Sequence, residues 1–334
     1  MEENLSPSPR LTREDTRRLM ARRDAPGLVL FAFQLIAFTA LSLTTLQLAA
    51  AGNSLRFVTV TLDGLVLLTF FASMHEAGHG TAFATPWINR AVTWISAVLM
   101  LQSPTFFREF HFEHHRRTSD PNGDPEISGA PRLLGPWPAN PVFYLLQASG
   151  QHLMVGKAMF TISSALLPGD AVFDRLYPFV RPALRRQVVR ESRIVVLLLA
   201  GVCWFGLAHV AGFATLLLAW PIGHLALGLF VMPEHLGLGS EGSQLHRTRS
   251  TKSNALVRWA MWNMPYHSEH HAYPAVPFHA APELSRCIEP EIENRASGYL
   301  AFHAEAVARS LRSCEPASSE TSSSKKEREA RRSD

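Results

Sequence analysis

"IVVLLLAGVCWFGLAHVAGFATLLLAWPIGHLALGLFVMP", residues 194–233, runs for forty residues without an Asp, Glu, Lys or Arg. An α-helix rises about 1.5 Å per residue and needs about 20 apolar residues to cross the hydrocarbon core of a membrane. The stretch is therefore long enough for two crossings, with a turn near residues 210–214. We predict spanning helices at 194–210 and 213–234.

The N-terminal part of the chain contains a second pair of apolar stretches. Residues 27–55 carry no charged side chain, and residues 57–74 are interrupted only by Asp63. These stretches predict spanning helices at 28–50 and 57–76. The apolar core of the first stretch is too long for a cleavable signal peptide. Two shorter apolar stretches, 91–102 and 142–167, fit interfacial or re-entrant helices better, although 142–167 is long enough to include a crossing.

Composition excludes several other classes of protein. Of 334 residues, 47% are hydrophobic and only 18% are charged, whereas soluble domains carry about 25% charged residues. Wholesale disorder is excluded because the apolar content is too high. Cys203, Cys287 and Cys314 are far apart, which argues against a disulfide scaffold or a thiolate zinc ribbon. A net charge of +4 gives no indication of a nucleic-acid partner.

Basic residues indicate the orientation in the membrane. Arginines precede the first predicted span from Arg10 to Arg23, and others, such as Arg116 and Arg193, lie in the middle segment 86–193. The loop between spans one and two has only Arg56, and the turn between spans three and four has no Lys or Arg. The positive-inside rule therefore places both termini and the middle segment in the cytoplasm, which in a bacterium means the inner membrane.

The histidines are unusually numerous, and nine of the fifteen fall into four groups. Within three groups the spacings are i, i+4 or i, i+3, i+4, which place side chains on one face of a helix. In the predicted topology all four groups lie on the cytoplasmic side. The nine residues are His75, His79, His111, His114, His115, His235, His267, His270 and His271.

Imidazole is a common ligand of iron, zinc, copper and nickel. Nine imidazoles exceed the three or four ligands of one zinc ion, and they fit two metal ions with four or five nitrogens each. "HEAGH", residues 75–79, also matches the zinc-protease signature with Glu76 as general base, but that chemistry does not use the other clusters. A membrane metal carrier is a further alternative, for which ligands near the bilayer midplane are expected. Surface histidines without a metal are the simplest alternative.

Asp63 and His224 are ionisable residues well inside predicted spans. Asp63 lies twelve residues before His75, about 18 Å along a helix, which is too far for a metal ligand. It either forms a packing hydrogen bond or lines a cavity. His224 either packs between helices or lines a cavity for the substrate. No metal role is assigned to the isolated histidines, which are His152, His209, His224, His246, His279 and His303.

The three segments "HEAGH", "HFEHHRRTSDPNGDPE" and "MWNMPYHSEHHAYPAVP" resemble the histidine boxes of the membrane fatty acid desaturase superfamily, over roughly residues 25–290. The resemblance implies an all-α integral membrane fold, with four transmembrane helices in two hairpins and a cytoplasmic helical cap carrying the boxes. It implies that the eight box histidines hold two Fe ions, with O₂ as co-substrate. It also implies that His235, after "PE", is an additional ligand.

The reaction implied by the resemblance is O₂-dependent insertion of a C=C bond into the aliphatic chain of an acyl lipid. The third box begins with His267 instead of the Gln of front-end desaturases, and no "HPGG" of a fused cytochrome b5 occurs. "EHLGL" and "HSEHH" are also similar to integral-membrane alkane and xylene monooxygenases. Hydroxylation or ketolation of an alkane, carotenoid or lipid on the same scaffold is therefore the alternative.

The implied reaction consumes electrons. The sequence has no nucleotide-binding fingerprint, because its G-x-G-x-x-G match at 237–242 follows a predicted membrane span and not a strand, and it has no cysteine cluster. We therefore expect an external donor, either a ferredoxin or a cytochrome b5 with its reductase, in addition to the lipid substrate and the membrane. Arg116 and Arg117 are predicted to hold an anionic head group, pair with carboxylates or contact phospholipid. Six carboxylates are either partners of the ligating imidazoles or ordinary surface groups: Glu76, Glu113, Asp120, Asp124, Glu234 and Glu269.

We divide the chain into four segments on this basis. Residues 1–26 form a cytoplasmic N-terminal segment, and residues 27–290 form the desaturase-type membrane domain with its cap. Residues 291–314 form a C-terminal helical segment. Residues 315–334, which include "SSSKKEREARRSD", are predicted to be a disordered tail.

Overall fold

The computed structural model describes residues 11–129, Leu134 and residues 137–312. This part of the chain is mainly helical, with very little strand, as predicted. The predicted tail, 315–334, lies outside the described residues. The helices are α1 (Arg13–Leu19), α2 (Asp24–Ala50), α3 (Arg56–Gly78), α4 (Pro86–Leu99), α5 (Pro104–Arg117), α6 (Pro141–Ala148), α7 (Gln151–Leu166), α8 (Asp170–Leu176), α9 (Pro182–His209), α10 (Phe213–Leu216), α11 (Ala219–His235), α12 (Gln244–Arg247), α13 (Ala255–Ala260), α14 (His267–Ala272), α15 (Ala281–Cys287) and α16 (Tyr299–Arg312).

Four stretches of helix in the described ranges are long and apolar enough to cross a membrane. They contain α2, α3, α9 and α10 with α11, which confirms the prediction of four candidate spans. The helices are longer than the apolar stretches: α9 begins at Pro182, twelve residues before the predicted span, because its first turns are polar but still helical. Apolar side chains on their outer faces are exposed, such as Ile36 (68%) and Leu197 (73%), as expected of surfaces that contact lipid.

Helix α3 lies at the centre of the packing of the long helices. Phe70 of α3 contacts Phe31 and Phe38 of α2, with ring centroids 6.1 and 5.7 Å apart. Helix α3 approaches α11 still more closely, because a Cβ on Gly64 of α3 would lie 2.9 Å from the carbonyl oxygen of Ala219 of α11. Small residues permit such close helix contacts in membranes, where association depends on packing.

Asp63 on α3 is fully buried and accepts a hydrogen bond from the Ser42 hydroxyl of α2 at 2.7 Å. This contact favours the packing interpretation of the residue.

The stretch 142–167 forms two short helices, α6 and α7, and neither meets the length required of a spanning helix. The chain breaks between them at Gly150, whose φ of +62° suits glycine. The stretch 91–102 lies largely in α4, which has 14 residues.

The C-terminal region combines short helices with one small parallel sheet. Strand β1 (Ser250–Thr251) pairs with β2 (Arg295–Ala296). Short 3₁₀ turns at Phe278–Ala280 and Glu289–Glu291 flank α15. Phe302 of α16 packs in an apolar cluster with Ala148 of α6 and Met232 of α11, so that α16 lies against two membrane-domain helices. The domain boundaries stay a prediction.

Candidate metal centre

All nine predicted histidines come together, in two groups with converging nitrogen atoms. The first group contains five residues and the second contains four, and within each group the ligand atoms lie within 4.8 Å of one another. The groups adjoin, because the ring centroids of His115 and His271 lie 4.0 Å apart. The first group is His75, His79, His111, His115 and His270, and the second is His114, His235, His267 and His271.

Histidines that lie four residues apart on one helix belong to the same group. Residues four apart on one helix share a group: His75 with His79, and His111 with His115, lie in the first, whereas His267 and His271 lie in the second. The middle histidine of the second and third boxes joins the opposite group.

The elements that carry these histidines are fixed by local interactions. Pro104 occupies the first turn of α5, and the Ser103 hydroxyl caps the helix by accepting from the Phe106 amide at 3.2 Å. Helix α14 is held by Glu269, whose carboxylate accepts hydrogen bonds from the hydroxyls of Ser250 and Ser285. These contacts position both histidine boxes.

The donor atoms fit metal ions. In the first group, Nε2 of His270 lies 2.8 Å from Nε2 of His75 and 3.1 Å from that of His79. Metal–nitrogen bonds of about 2.1 Å place two ligands at a right angle about 3.0 Å apart. In the second group, Nε2 of His271 is buried without a hydrogen-bond partner. Converging lone pairs of this kind are compatible with bound cations.

Hydrogen bonds at Nδ1 fix the orientation of two of the imidazole rings. Nδ1 of His114 donates to Asp124 at 2.9 Å, and Nδ1 of His235 donates to the carbonyl oxygen of Arg247 at 3.3 Å. Such contacts select the tautomer whose Nε2 is free to bind a metal. Nε2 of His235 lies 2.8 Å from that of His267 and 3.1 Å from that of His114, which places the ninth histidine within the second group.

Burial governs the protonation of the group members. Burial, followed by the charges of neighbouring groups, lowers the pKa of the imidazoles well below the usual value, and the neutral form binds metal. These residues are His79, His111, His115, His267, His270 and His271. His114 is different, because burial opposes its charge but Glu126 and Asp124 raise its pKa to about 9.

The six carboxylates take different roles. Asp124 contacts an imidazole directly, whereas Glu234 lies 3.6 Å from Nδ1 of His267 and Glu76 lies 4.0 Å from Nε2 of His75. The other three bind elsewhere. Glu113 pairs with Arg116 and Arg117, Asp120 pairs with Arg117, and Glu269 binds the two serines. Of the three predicted roles of Arg116 and Arg117, the structure therefore shows pairing with carboxylates.

Sequence reasoning missed several residues near the site. Lys157 of α7 lies 5.5 Å from the ring centroid of Phe71, and its Nζ is buried without a hydrogen-bond partner. Trp262, fully buried, contacts Phe83 and Phe278 just before the third box, where the backbone φ is positive at Trp262 and Asn263. Lys157 could have been noticed as a lysine in an otherwise apolar stretch, but no sequence pattern marks Trp262.

We expect Asp124→Asn to weaken metal binding by the second group about 10- to 100-fold, as is typical of partners that orient a ligating imidazole. Asn removes the charge and one of the two oxygens near Nδ1 of His114. Metal retained per chain after dialysis checks this, with Asp120→Asn as the control, because the Asp120 carboxylate binds Arg117 and the backbone amide of Asn122. Equal retention in both variants would contradict the assigned role.

Comparison with known proteins found a matching family model and similar relatives. The sequence model of the family "Fatty acid desaturase" matches residues 51–303. The chain is 26% identical to "Sphingolipid delta(4)-desaturase DES1" of Drosophila melanogaster, over 67% of this chain and 63% of the relative. It is also 26% identical to "Sphingolipid delta(4)-desaturase/C4-monooxygenase DES2" of Mus musculus, over 71% of this chain and 66% of the relative. The chain thus spans less than two thirds of the length of these curated relatives.

Proposed function

Because the chain belongs to the fatty acid desaturase family, we propose that it is an O₂-dependent di-iron desaturase that introduces a C=C bond into the aliphatic chain of a lipid. The observation that carries the proposal is the convergence of nine imidazoles into adjoining groups of five and four. That donor set suits two ions of the iron, zinc or copper type, and membership of an oxidoreductase family favours iron.

The nine histidines would hold the two irons. When bound, a di-iron centre supplies the reduction of O₂ and the removal of hydrogen from an unactivated C–H bond. The protein contributes the rest: Asp124 and the Arg247 carbonyl orient two of the imidazoles, and burial keeps most of the others neutral. Electrons would come from a separate carrier of the ferredoxin or cytochrome b5 type.

The proposal includes a multi-pass topology with both termini and the metal centre in the cytoplasm. The four candidate spans support it, as do the arginines, which flank each pair of spans but are almost absent from the short loops within the pairs. The long helices expose apolar side chains along their length, which suits an aliphatic substrate dissolved in the bilayer. The relatives' printed names make sphingolipids the first substrates to test.

A hydroxylase is the second candidate, and the printed name of the mouse relative includes "C4-monooxygenase". Both reactions begin at an aliphatic carbon, and the placement of the substrate decides between them. Loss of a second hydrogen from the neighbouring carbon gives an alkene, whereas addition of oxygen to the first carbon gives an alcohol.

The test is expression in a host of known lipid profile, with a reduced carrier present, followed by lipid mass spectrometry. We expect species two hydrogens lighter than the host lipids, which depend on O₂ and disappear in His270→Ala. A product heavier by one oxygen would establish the hydroxylase instead. A product that persists without O₂ or in His270→Ala would contradict both.

A further inference from the structure

A cavity of about 280 Å³ lies beside the first histidine group, outside the metal centre. Gly78 and Gly80, the neighbours of His79, form part of its wall. Gly80 has a φ of +74°, and a Cβ there would meet nothing within 4 Å, so the wall is open at this point. The remaining wall comes from α4, the first turn of α5 and the beginning of α9.

Three arginines from separate elements surround this cavity: Arg22 before α2, Arg90 on α4 and Arg108 on α5. All three are exposed. Within residues 11–129 and 137–312, none of them forms an ion pair with a carboxylate. This distinguishes them from Arg116 and Arg117, which both pair with Glu113.

The cavity wall includes one carboxylate, that of Glu191. This residue is buried and accepts hydrogen bonds from the Ser103 hydroxyl, from the backbone amide and hydroxyl of Thr105, and from the side-chain amide of Gln187, at 2.7–2.9 Å. Its oxygens are therefore engaged within the protein, and the three guanidinium groups remain available to an external anion.

The position of the cavity indicates the kind of anion. It lies where the long apolar helices meet polar sequence: α3 ends at Gly78, the charge-free stretch of α2 begins at Gly27, and that of α9 begins at Ile194. Trp94 lines the cavity, and Trp87 on the same helix is 62% exposed. Tryptophan and arginine residues where apolar helices meet polar sequence are typical of the membrane–water boundary.

We propose that this cavity binds the phosphate-bearing head of an anionic lipid. Arginine forms bidentate hydrogen bonds with phosphate, and basic pockets between spanning helices bind lipid head groups. The cavity measures about 280 Å³, slightly less than the range of about 300–1,000 Å³ that is usual for whole ligands. It therefore suits a head group alone, with the acyl chains of the lipid lying along the apolar helices. Binding at this cavity does not require the proposed reaction.

The test compares two triple variants of the full chain with equal net charge. Arg22→Gln/Arg90→Gln/Arg108→Gln removes the cavity cations, and Arg13→Gln/Arg175→Gln/Arg312→Gln removes three exposed cations elsewhere. Native mass spectrometry measures retention of phosphatidic acid and of phosphatidylcholine. We expect wild type to prefer phosphatidic acid, the cavity variant to lose about tenfold or more of that retention, and the control to stay within about twofold.

Metal content and thermal unfolding establish that both variants are folded. If the triple variant does not fold, Arg90→Gln alone replaces it, with Arg175→Gln as its control. Equal losses in the two variants would show general attraction to a basic face and would overturn the proposal. Displacement of the lipid by an equal concentration of inorganic phosphate would show a free-phosphate site and would also overturn it. The proposal would also be overturned if the cavity variant retained the lipid as wild type does but no longer bound an acidic electron carrier.

Discussion

His270→Ala is expected to abolish product formation and to lower the affinity of the first histidine group for metal by about a hundredfold or more. Nε2 of His270 lies within 2.8–3.2 Å of Nε2 in His75, His79 and His115, so that its loss removes a donor next to three others. The measurements are metal ions per purified chain and turnover of the lipid with a reduced carrier.

His246→Ala is the matched control for this prediction. His246 is exposed and pairs with Glu293 at 3.0 Å, away from both groups. We expect its metal content and turnover to equal those of wild type. If His270→Ala kept both metal ions and a turnover within a few-fold of wild type, the first group would not be the metal centre.

Gly150→Ala is expected to destabilise the folded chain by more than about 4 kcal/mol, a loss typical of severe backbone strain and overlap. A Cβ at Gly150 would lie 1.7 Å from the carbonyl oxygen of His224 on α11, and the φ of +62° is itself unfavourable for alanine. Thermal unfolding in detergent and the yield of monodisperse protein measure the effect.

Gly156→Ala tests the same exchange within α7. A Cβ at Gly156 would meet nothing within 4 Å, and alanine is favoured over glycine inside a helix by up to about 1 kcal/mol. We therefore expect unchanged or slightly raised stability. Equal destabilisation of the two variants would mean that the contact between Gly150 and α11 does not hold the helices together.

The sequence predicted the long helices well because a charge-free stretch is a property of composition. Residues 194–233 predict two candidate spans without any knowledge of tertiary contacts. Helix α9 fulfils the first prediction, and α10 with α11 fulfils the second. The break at Gly150 could not be predicted from the stretch alone, since its cause is the approach of a helix seventy residues away.

For the site, spacing along the chain identified the histidines, but their division into two groups depends on how the four helices that carry them meet. The i, i+4 pairs were visible in the sequence, whereas the transfer of His114 and His270 to opposite groups is a tertiary effect. The carboxylates show the same limit. Asp124 and Glu269 looked equivalent in the sequence, yet the first orients His114 and the second anchors α14 to two serines.

The most direct test of the account is elemental analysis of the purified full chain, combined with Mössbauer spectroscopy of protein grown on ⁵⁷Fe. The adjoining groups of five and four imidazoles predict two irons per chain in wild type, and fewer in His270→Ala. One zinc ion per chain, or a metal content that does not depend on the histidines of either group, would contradict it.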